Sequence, residues 1–449
     1  MPTLLIRNAD VLVTMDGARR EIAGGGLLAR DGVIEAVGRA ATLPREADEI
    51  VDATGCVVTP GLINTHHHMY QNLTRAVPAG QDALLFGWLQ ALYPIWTRIG
   101  PDEVRISALV ALAELALSGC TCASDHLYIF PNGARLDDEI DAAREIGVRL
   151  HATRGSMSIG ESDGGLPPDV LTEPEPDILD DCIRVIDTFH DPNPGAMIRV
   201  GVAPCSPFSV SRELMRDSAL LARDKGVMMH THLAESGEDV AHTQERFGCR
   251  PGQFAEDLGW TGDDVWLAHC VKLDGGEIDL FARSGTGVAH CPCSNMRLGS
   301  GIAPVRRMRD SGVKVGLGVD GSASNDGADL MAEARQAMLL QRVALGADAM
   351  SAREALEIAT LGGASVLGRD DLGSLAAGKR ADFAVWPVAG IETSGAWDPV
   401  AALILCGPHR ARDTYVEGRA VVRGGQVVTT DLDAAVRLHR KLAAGLMEP

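Results

Sequence analysis

The sequence predicts an α/β fold: a distorted (β/α)8 barrel of the TIM type, joined to a small β-sandwich built from both chain ends. Three observations predict it. Eight apolar strand-like runs alternate with helix-like stretches through the middle of the chain, and β-rich stretches flank that middle on both sides. Polar residues suited to chemistry also fall at the ends of the middle runs rather than inside them. A chain of 449 residues exceeds what one compact core usually serves, though such a barrel absorbs roughly 250 residues as one unit.

The N-terminal part reads as short strands at Leu4–Ile6, Val11–Val13, Gly26–Leu28, Val33–Val37 and Cys56–Val58, separated by turn signals such as Asp16-Gly17 and Asp31-Gly32. A matching stretch returns at Ala381–Trp386, Thr414–Val416 and Ala420–Val422. Neither end alone offers enough strands for a stable core, so the two are expected to form one sandwich. Candidate barrel strands are Thr59–His68, Cys120–His126, Arg149–Thr153, Arg199–Pro204, Val227–Leu233, Val265–His269, Gly287–His290 and Val313–Val319. Helical patterns lie between them, as at Glu103–Ser118, Leu136–Ile146 and Glu213–Lys225. The Pro-, Asp- and Glu-rich stretch Pro167–Asp181 reads as a long surface loop. The expected organisation is sandwich 1–58, catalytic barrel 59–368, sandwich 369–430 and a C-terminal helix 431–449. A doubly wound open sheet is the alternative.

Composition narrows the function. The chain is 46% hydrophobic and 23% charged, an ordinary globular mixture. Its net charge of −20 disfavours a phosphate backbone as partner, because such binding needs clustered Lys and Arg. No apolar run approaches the ~20 residues that span a bilayer. The expected partner is therefore a small molecule, with neither nucleic acid nor membrane, and association into a homo-oligomer is left open. The opening residues lack the pattern of a secretory signal, and ten scattered cysteines suit reduced thiols, so a cytoplasmic location is expected.

The chemistry is carried by strand ends. His66 and His68 end the first run, and side chains at i and i+2 share a strand face, so both imidazoles can point into a barrel mouth. His67 then faces the other way and is read as structural. His232 ends the fifth run, with Glu235 three residues on; His269 ends the sixth and Asp320 the eighth. Barrel enzymes keep their chemistry at this face. Three imidazoles and a carboxylate suit Zn²⁺ or a similar borderline ion with one position open for water. His230 shares a face with His232, so spacing alone leaves the ligand ambiguous. Hydrolysis of an amino-bearing ring carbon would use Asp320 to orient and deprotonate the water. Glu235 would carry a proton to the ring nitrogen, and His269 would steady the attacking oxygen.

At these residues a resemblance becomes specific. PGLINTHHH at 60–68, HTHLAE at 230–235, LAHC at 267–270, HCPCSNMRLGSGIAPV at 290–305 and GVDGSASND at 318–326 occur in the order found in the amidohydrolase superfamily. The chain resembles its branch of aminopurine and triazine deaminases. The resemblance spans nearly the whole chain, and GSLAAGKRADFAVW at 373–386 resembles the family's return to its sandwich. It implies His66, His68, His232 and Asp320 as metal ligands, Glu235 as acid/base and His269 as the oxygen-stabilising histidine, leaving His230 behind the ligands. Other branches bridge two metals with a modified lysine from the fourth strand. Here that strand reads IRVGVAPCSP, so one zinc per chain is implied.

QNLTR at 71–75, SDHLYIFPNG at 124–133 and ATRG at 152–155 most resemble the members of that branch that deaminate 8-oxoguanine. Guanine, isocytosine, adenosine-type compounds and s-triazines are the alternatives. Gln71, Arg154, Cys205 and Ser206 follow strand ends and are candidates to read the substrate. Against this, Arg154 could pair with a nearby carboxylate and Gln71 could cap a helix. Trp88 could wall the pocket or sit in the core. The other zinc deaminase class, with Pro-Cys-x-x-Cys, does not fit, because Cys291 and Cys293 are one residue apart. A non-catalytic barrel scaffold would be expected to have lost Glu235, His269 or Asp320.

Overall fold

The computed structural model describes residues 2–407 and 409–447. Eight parallel strands close into a barrel in chain order: β1 Leu62–Asn64, β2 Cys120–Leu127, β3 Arg149–Ser156, β4 Ile198–Pro204, β5 Met229–Leu233, β6 Val265–His269, β7 Gly287–His290 and β8 Lys314–Leu317. Leu317 pairs with Asn64 to close the ring, and the Thr65 amide donates to the Leu317 carbonyl at 2.8 Å. Outward-facing Val, Leu and Ala pack beneath helices such as Pro101–Leu117 and Leu136–Ile146, and form the main core. Among the described residues no helix is long and apolar enough to cross a membrane.

The chain ends join in one nine-stranded, mainly antiparallel sheet. Its seam is the antiparallel pairing of Cys56–Pro60 with Phe383–Pro387, which sets Pro60 opposite Phe383. Ile6, Leu12, Leu27, Val58, Phe383, Val385 and Tyr415 bury a separate apolar cluster there. Helix Leu432–Gly445 packs on helix Pro101–Leu117; of the expected C-terminal helix, residues 448 and 449 lie outside the described residues.

Three readings of the sequence need correction. The run Thr59–His68 is not one strand: Cys56–Pro60 belongs to the sheet, Leu62–Asn64 to the barrel, and His67–His68 pairs with Asp320–Gly321. Gly61 allows the change of sheet, since a Cβ there would lie 2.1 Å from Thr121 Oγ1. The eighth run breaks after Leu317, and Asp320 sits in that separate pairing opposite His67. Pro167–Asp181 is a loop only in its first half, because helix Glu175–Phe189 begins inside it. Pro176 occupies the first turn, where no backbone N–H is missed, and Glu175 and Asp177 favour the positive end of the helix.

Candidate active site

The strand ends bring His66, His68, His232, His269, Glu235 and Asp320 to one place at the C-terminal mouth of the barrel. Positive φ recurs at these ends: Ala234 52°, His269 70°, Cys270 50° and Asp320 60°. Such left-handed turns cost non-glycine residues of order 1–2 kcal/mol each, and two of them fall at His269 and Asp320, which line the pocket.

Hydrogen bonds on the far side of each ring decide where the lone pairs point. His68 Nδ1 lies 2.7 Å from the His126 carbonyl and His232 Nδ1 lies 2.6 Å from the Cys205 carbonyl, so both Nδ1 atoms donate. Their Nε2 lone pairs then face each other at 3.0 Å. His230 donates from Nδ1 to the Trp266 carbonyl at 2.9 Å, which leaves its Nε2 to accept from His66 Nδ1 at 2.7 Å. His66 Nε2 is thereby left as a buried acceptor with no donor in reach. Asp320 Oδ1 stands 3.3 Å from His66 Nε2 and 3.4 Å from His68 Nε2. Burial holds all three rings neutral. Three imidazole lone pairs and a carboxylate converging without a proton among them need a cation, and this donor set fits zinc. Of the two histidines that spacing left open, His230 has its Nε2 taken by His66 Nδ1, whereas His232 turns its Nε2 toward His68.

One residue the sequence reading missed joins the group. His126, near the end of β2, lies with His66, His68 and His232 so that one ring nitrogen of each falls within 4.8 Å of the others. Its Nε2 meets the Ala203 carbonyl at 2.8 Å and its Nδ1 has no partner. The signal was available: His126 sits at a strand end, as the other histidines do.

His269 shares this cluster, with one ring nitrogen within 4.8 Å of His66, His232 and Asp320, and Glu235 stands beside it. Burial pushes the Glu235 carboxyl up to about 7, against the pull of His269. Burial opposes the charged form of His269, yet Glu235 and Asp320 beside it carry its pKa above the ordinary range. His269 Nε2 stands 3.6 Å from Glu235 Oε2 and 3.9 Å from Asp320 Oδ2.

The pocket over this cluster is walled by Leu85, Trp88, Leu89 and Tyr93 from helix Leu85–Trp96, with Tyr128, Phe208 and Leu298. Trp88 satisfies both earlier readings, being 4% exposed yet part of the wall. Gln71, Cys205 and Ser206 line the pocket, as does Ser324, which the sequence reading passed over. Gln71 Oε1 is buried with no partner, and it lies where a Cβ on Gly321 would be 1.7 Å away, so only glycine at 321 leaves it room. Burial pushes the Cys205 thiol up to about 12, so it is protonated. A wider groove between the sheet and helix Leu136–Ile146, lined by Arg144, Arg380 and Glu417, contains no histidine and lies away from this chemistry.

Arg154 is not brought to the pocket. Its guanidinium pairs with Glu173 at 2.7 Å and Asp181 at 2.8 Å and covers the Phe130 ring, so burial without a substrate is already compensated. The competing reading of a paired arginine is the one the structure bears out. Arg154→Ala is expected to lower stability by about 3 kcal/mol, as for one partner removed from a buried pair, without raising KM in the folded enzyme. Thermal unfolding and steady-state kinetics on the same preparation check this; a raised KM at unchanged Tm would return Arg154 to the pocket.

The sequence model described as the amidohydrolase family matches residues 57–420. An 8-oxoguanine deaminase of Pseudomonas aeruginosa is 44% identical over 445 residues, covering 98% of each chain. An isoxanthopterin deaminase from an unknown prokaryotic organism is 38% identical over 93% of this chain and 94% of its own. Among solved structures, an atrazine chlorohydrolase from Arthrobacter aurescens TC1 complexed with zinc superposes with TM-score 0.93 at 36% identity, covering 99% of this chain and 100% of that one.

Proposed function

Since this chain belongs to the amidohydrolase family, whose members hydrolyse bonds such as C–N, we propose that it is a zinc-dependent deaminase of a free aminated heterocycle, with 8-oxoguanine as substrate. The observation that carries the metal assignment is that His66 Nε2 and His68 Nε2 both face Asp320 Oδ1, at 3.3 and 3.4 Å, while His232 Nε2 meets His68 Nε2 at 3.0 Å. His66, His68, His232 and Asp320 would hold one zinc per chain. The ion would supply Lewis acidity that brings the pKa of water toward ~7. Elemental analysis is expected to find close to one metal per chain; two tightly held metals would overturn this assignment.

The residues of the chain then divide the work. Asp320 orients the attacking water and takes its proton. Glu235, with a pKa near neutrality, passes a proton to the ring nitrogen beside the attacked carbon and regains one from the added hydroxyl, while the proton held by Asp320 goes to the departing amine. His269 holds the attacking oxygen through Nε2. Water adds to the carbon, the C–N bond breaks, and ammonia and a ring carbonyl result. For 8-oxoguanine, attack at the 2-amino carbon yields uric acid.

Leu85, Trp88, Leu89, Tyr93, Tyr128 and Phe208 provide flat apolar walls for a ring and exclude bulk water. The unpartnered Gln71 oxygen is placed to accept a ring N–H, and the Ser206 hydroxyl in the same pocket offers a donor for a ring oxygen. With Arg154 committed elsewhere, reading of the 8-oxo group falls to these neutral groups. The similarity to an 8-oxoguanine deaminase over 98% of the chain supports this substrate over guanine, isocytosine, adenosine-type compounds and s-triazines. A site that hydrogen-bonds a substrate oxygen can reject an analogue lacking it by ~10⁴ in favourable cases. In an ammonia-release panel, kcat/KM for 8-oxoguanine is therefore expected to exceed that for guanine, isocytosine and a hydroxylated aminotriazine. Guanine or the triazine ahead by tenfold would overturn the substrate and leave the deaminase reading standing.

A further inference from the structure

We propose that the segment 291–300, which follows β7, is the positioning element of this site, with Asn295 holding the Nδ1 proton and fixing the aim of His269 and Ser294 fixing the plane of Asp320. The proposal rests on the roles given above to His269 and Asp320. Helix Pro292–Arg297 presents two adjacent side chains, both fully buried, to two different groups of the site. Asn295 Oδ1 lies 3.0 Å from His269 Nδ1. Ser294 Oγ donates to Asp320 Oδ2 at 2.5 Å, and Ser324 Oγ adds a second bond to the same oxygen at 3.1 Å.

Each bond leaves the working atom free. With Asn295 accepting at Nδ1, His269 is left to act through Nε2, which faces Glu235 and Asp320. With both hydroxyls on Oδ2, Asp320 keeps Oδ1 toward His66 and His68. An amide cannot titrate in this range, so Asn295 orients the ring without adding charge.

Local stability does not account for these contacts. A serine inside a helix ordinarily bonds its own backbone, whereas Ser294 bonds only Asp320 and Ser324. Asn295 Nδ2 is buried with no partner, which costs free energy and makes the residue a poor choice for packing alone. Ser300 Oγ, at the end of the same segment, stands 3.5 Å from Glu235 Oε1, so one short stretch touches all three proton-handling groups.

The test compares Asn295→Leu, similar in size but without an acceptor, with Asn295→Asp, which keeps one. Outer hydrogen-bond partners of this kind are typically worth about 10–100-fold. Asn295→Leu is expected to lower kcat by that factor with KM little changed, and Asn295→Asp to recover most of it. In the full-length enzyme with ¹⁵N-labelled histidine, the hydrogen-bonded His269 Nδ1 proton should be present in the parent and in Asn295→Asp and lost in Asn295→Leu. Ser294→Ala should lose its metal to a chelator faster than the parent. Near-parental kcat in Asn295→Leu, an Asn295→Asp enzyme as impaired as the leucine variant, or an unchanged Nδ1 resonance would overturn the role of Asn295. Equal metal-loss rates would overturn that of Ser294. If no heterocycle in the panel releases ammonia, the substrate reading fails by itself, and the Nδ1 proton and metal-loss rates still decide this proposal.

Discussion

Glu235→Gln is expected to cut kcat by about 10²–10⁴ while the enzyme keeps its full metal content. The side chain stands beside His269 and outside both groups of converging donor atoms, so its loss would remove the proposed proton carrier and leave the proposed ligands in place. Burial that pushes its pKa up to about 7 puts it where a group both accepts and releases protons near neutrality. Glutamine keeps the shape and the carbonyl oxygen but cannot shuttle a proton. Metal analysis and kcat on one preparation check this. A variant that loses its metal, or that turns over at nearly the parental rate, would show that Glu235 has another role.

His232→Ala is expected to strip the metal and with it the activity. The ring is oriented by the Cys205 carbonyl so that its Nε2 faces that of His68 at 3.0 Å, and alanine leaves the site one ligand short. His67→Asn makes the control, because His67 is as buried and as close in sequence to the cluster. Its Nδ1 accepts from the His68 amide at 2.9 Å and it contributes no ligand atom to the group, so metal and most of the rate should survive. A His67→Asn enzyme as damaged as His232→Ala would contradict the division of faces around residues 66–68.

Much of this site was legible because strand ends carry their own signal. Val265–His269 and Gly287–His290 coincide with the strands expected, and both are short apolar runs stopped by a histidine. What sequence could not show was the state of the partners. Nothing in ATRG announces that Arg154 is neutralised by Glu173 and Asp181, 19 and 27 residues away. The tautomer relay from Trp266 through His230 to His66 depends on contacts between strands, which spacing along one strand does not contain. Composition misled at Pro167–Asp181, where proline and acidic residues suggest a loop although Glu175-Pro176-Asp177 is a favourable helix start. The pocket wall from helix Leu85–Trp96 was seen only at Trp88, since Pro94 near the helix end obscures the period.

The seam between the two chain ends has a consequence for biosynthesis. Cys56–Pro60 leaves the ribosome early, yet its partner Phe383–Pro387 lies more than 300 residues downstream. At translation rates of about 5–20 residues per second, the strand waits roughly 15–60 s with one backbone edge unpaired. That edge is apolar, and an unpaired apolar edge is a template for pairing with another nascent chain. Fragments ending before residue 383 should therefore aggregate even where their barrel strands are intact, and soluble yield should respond more to chaperone supply than to mutations in the pocket.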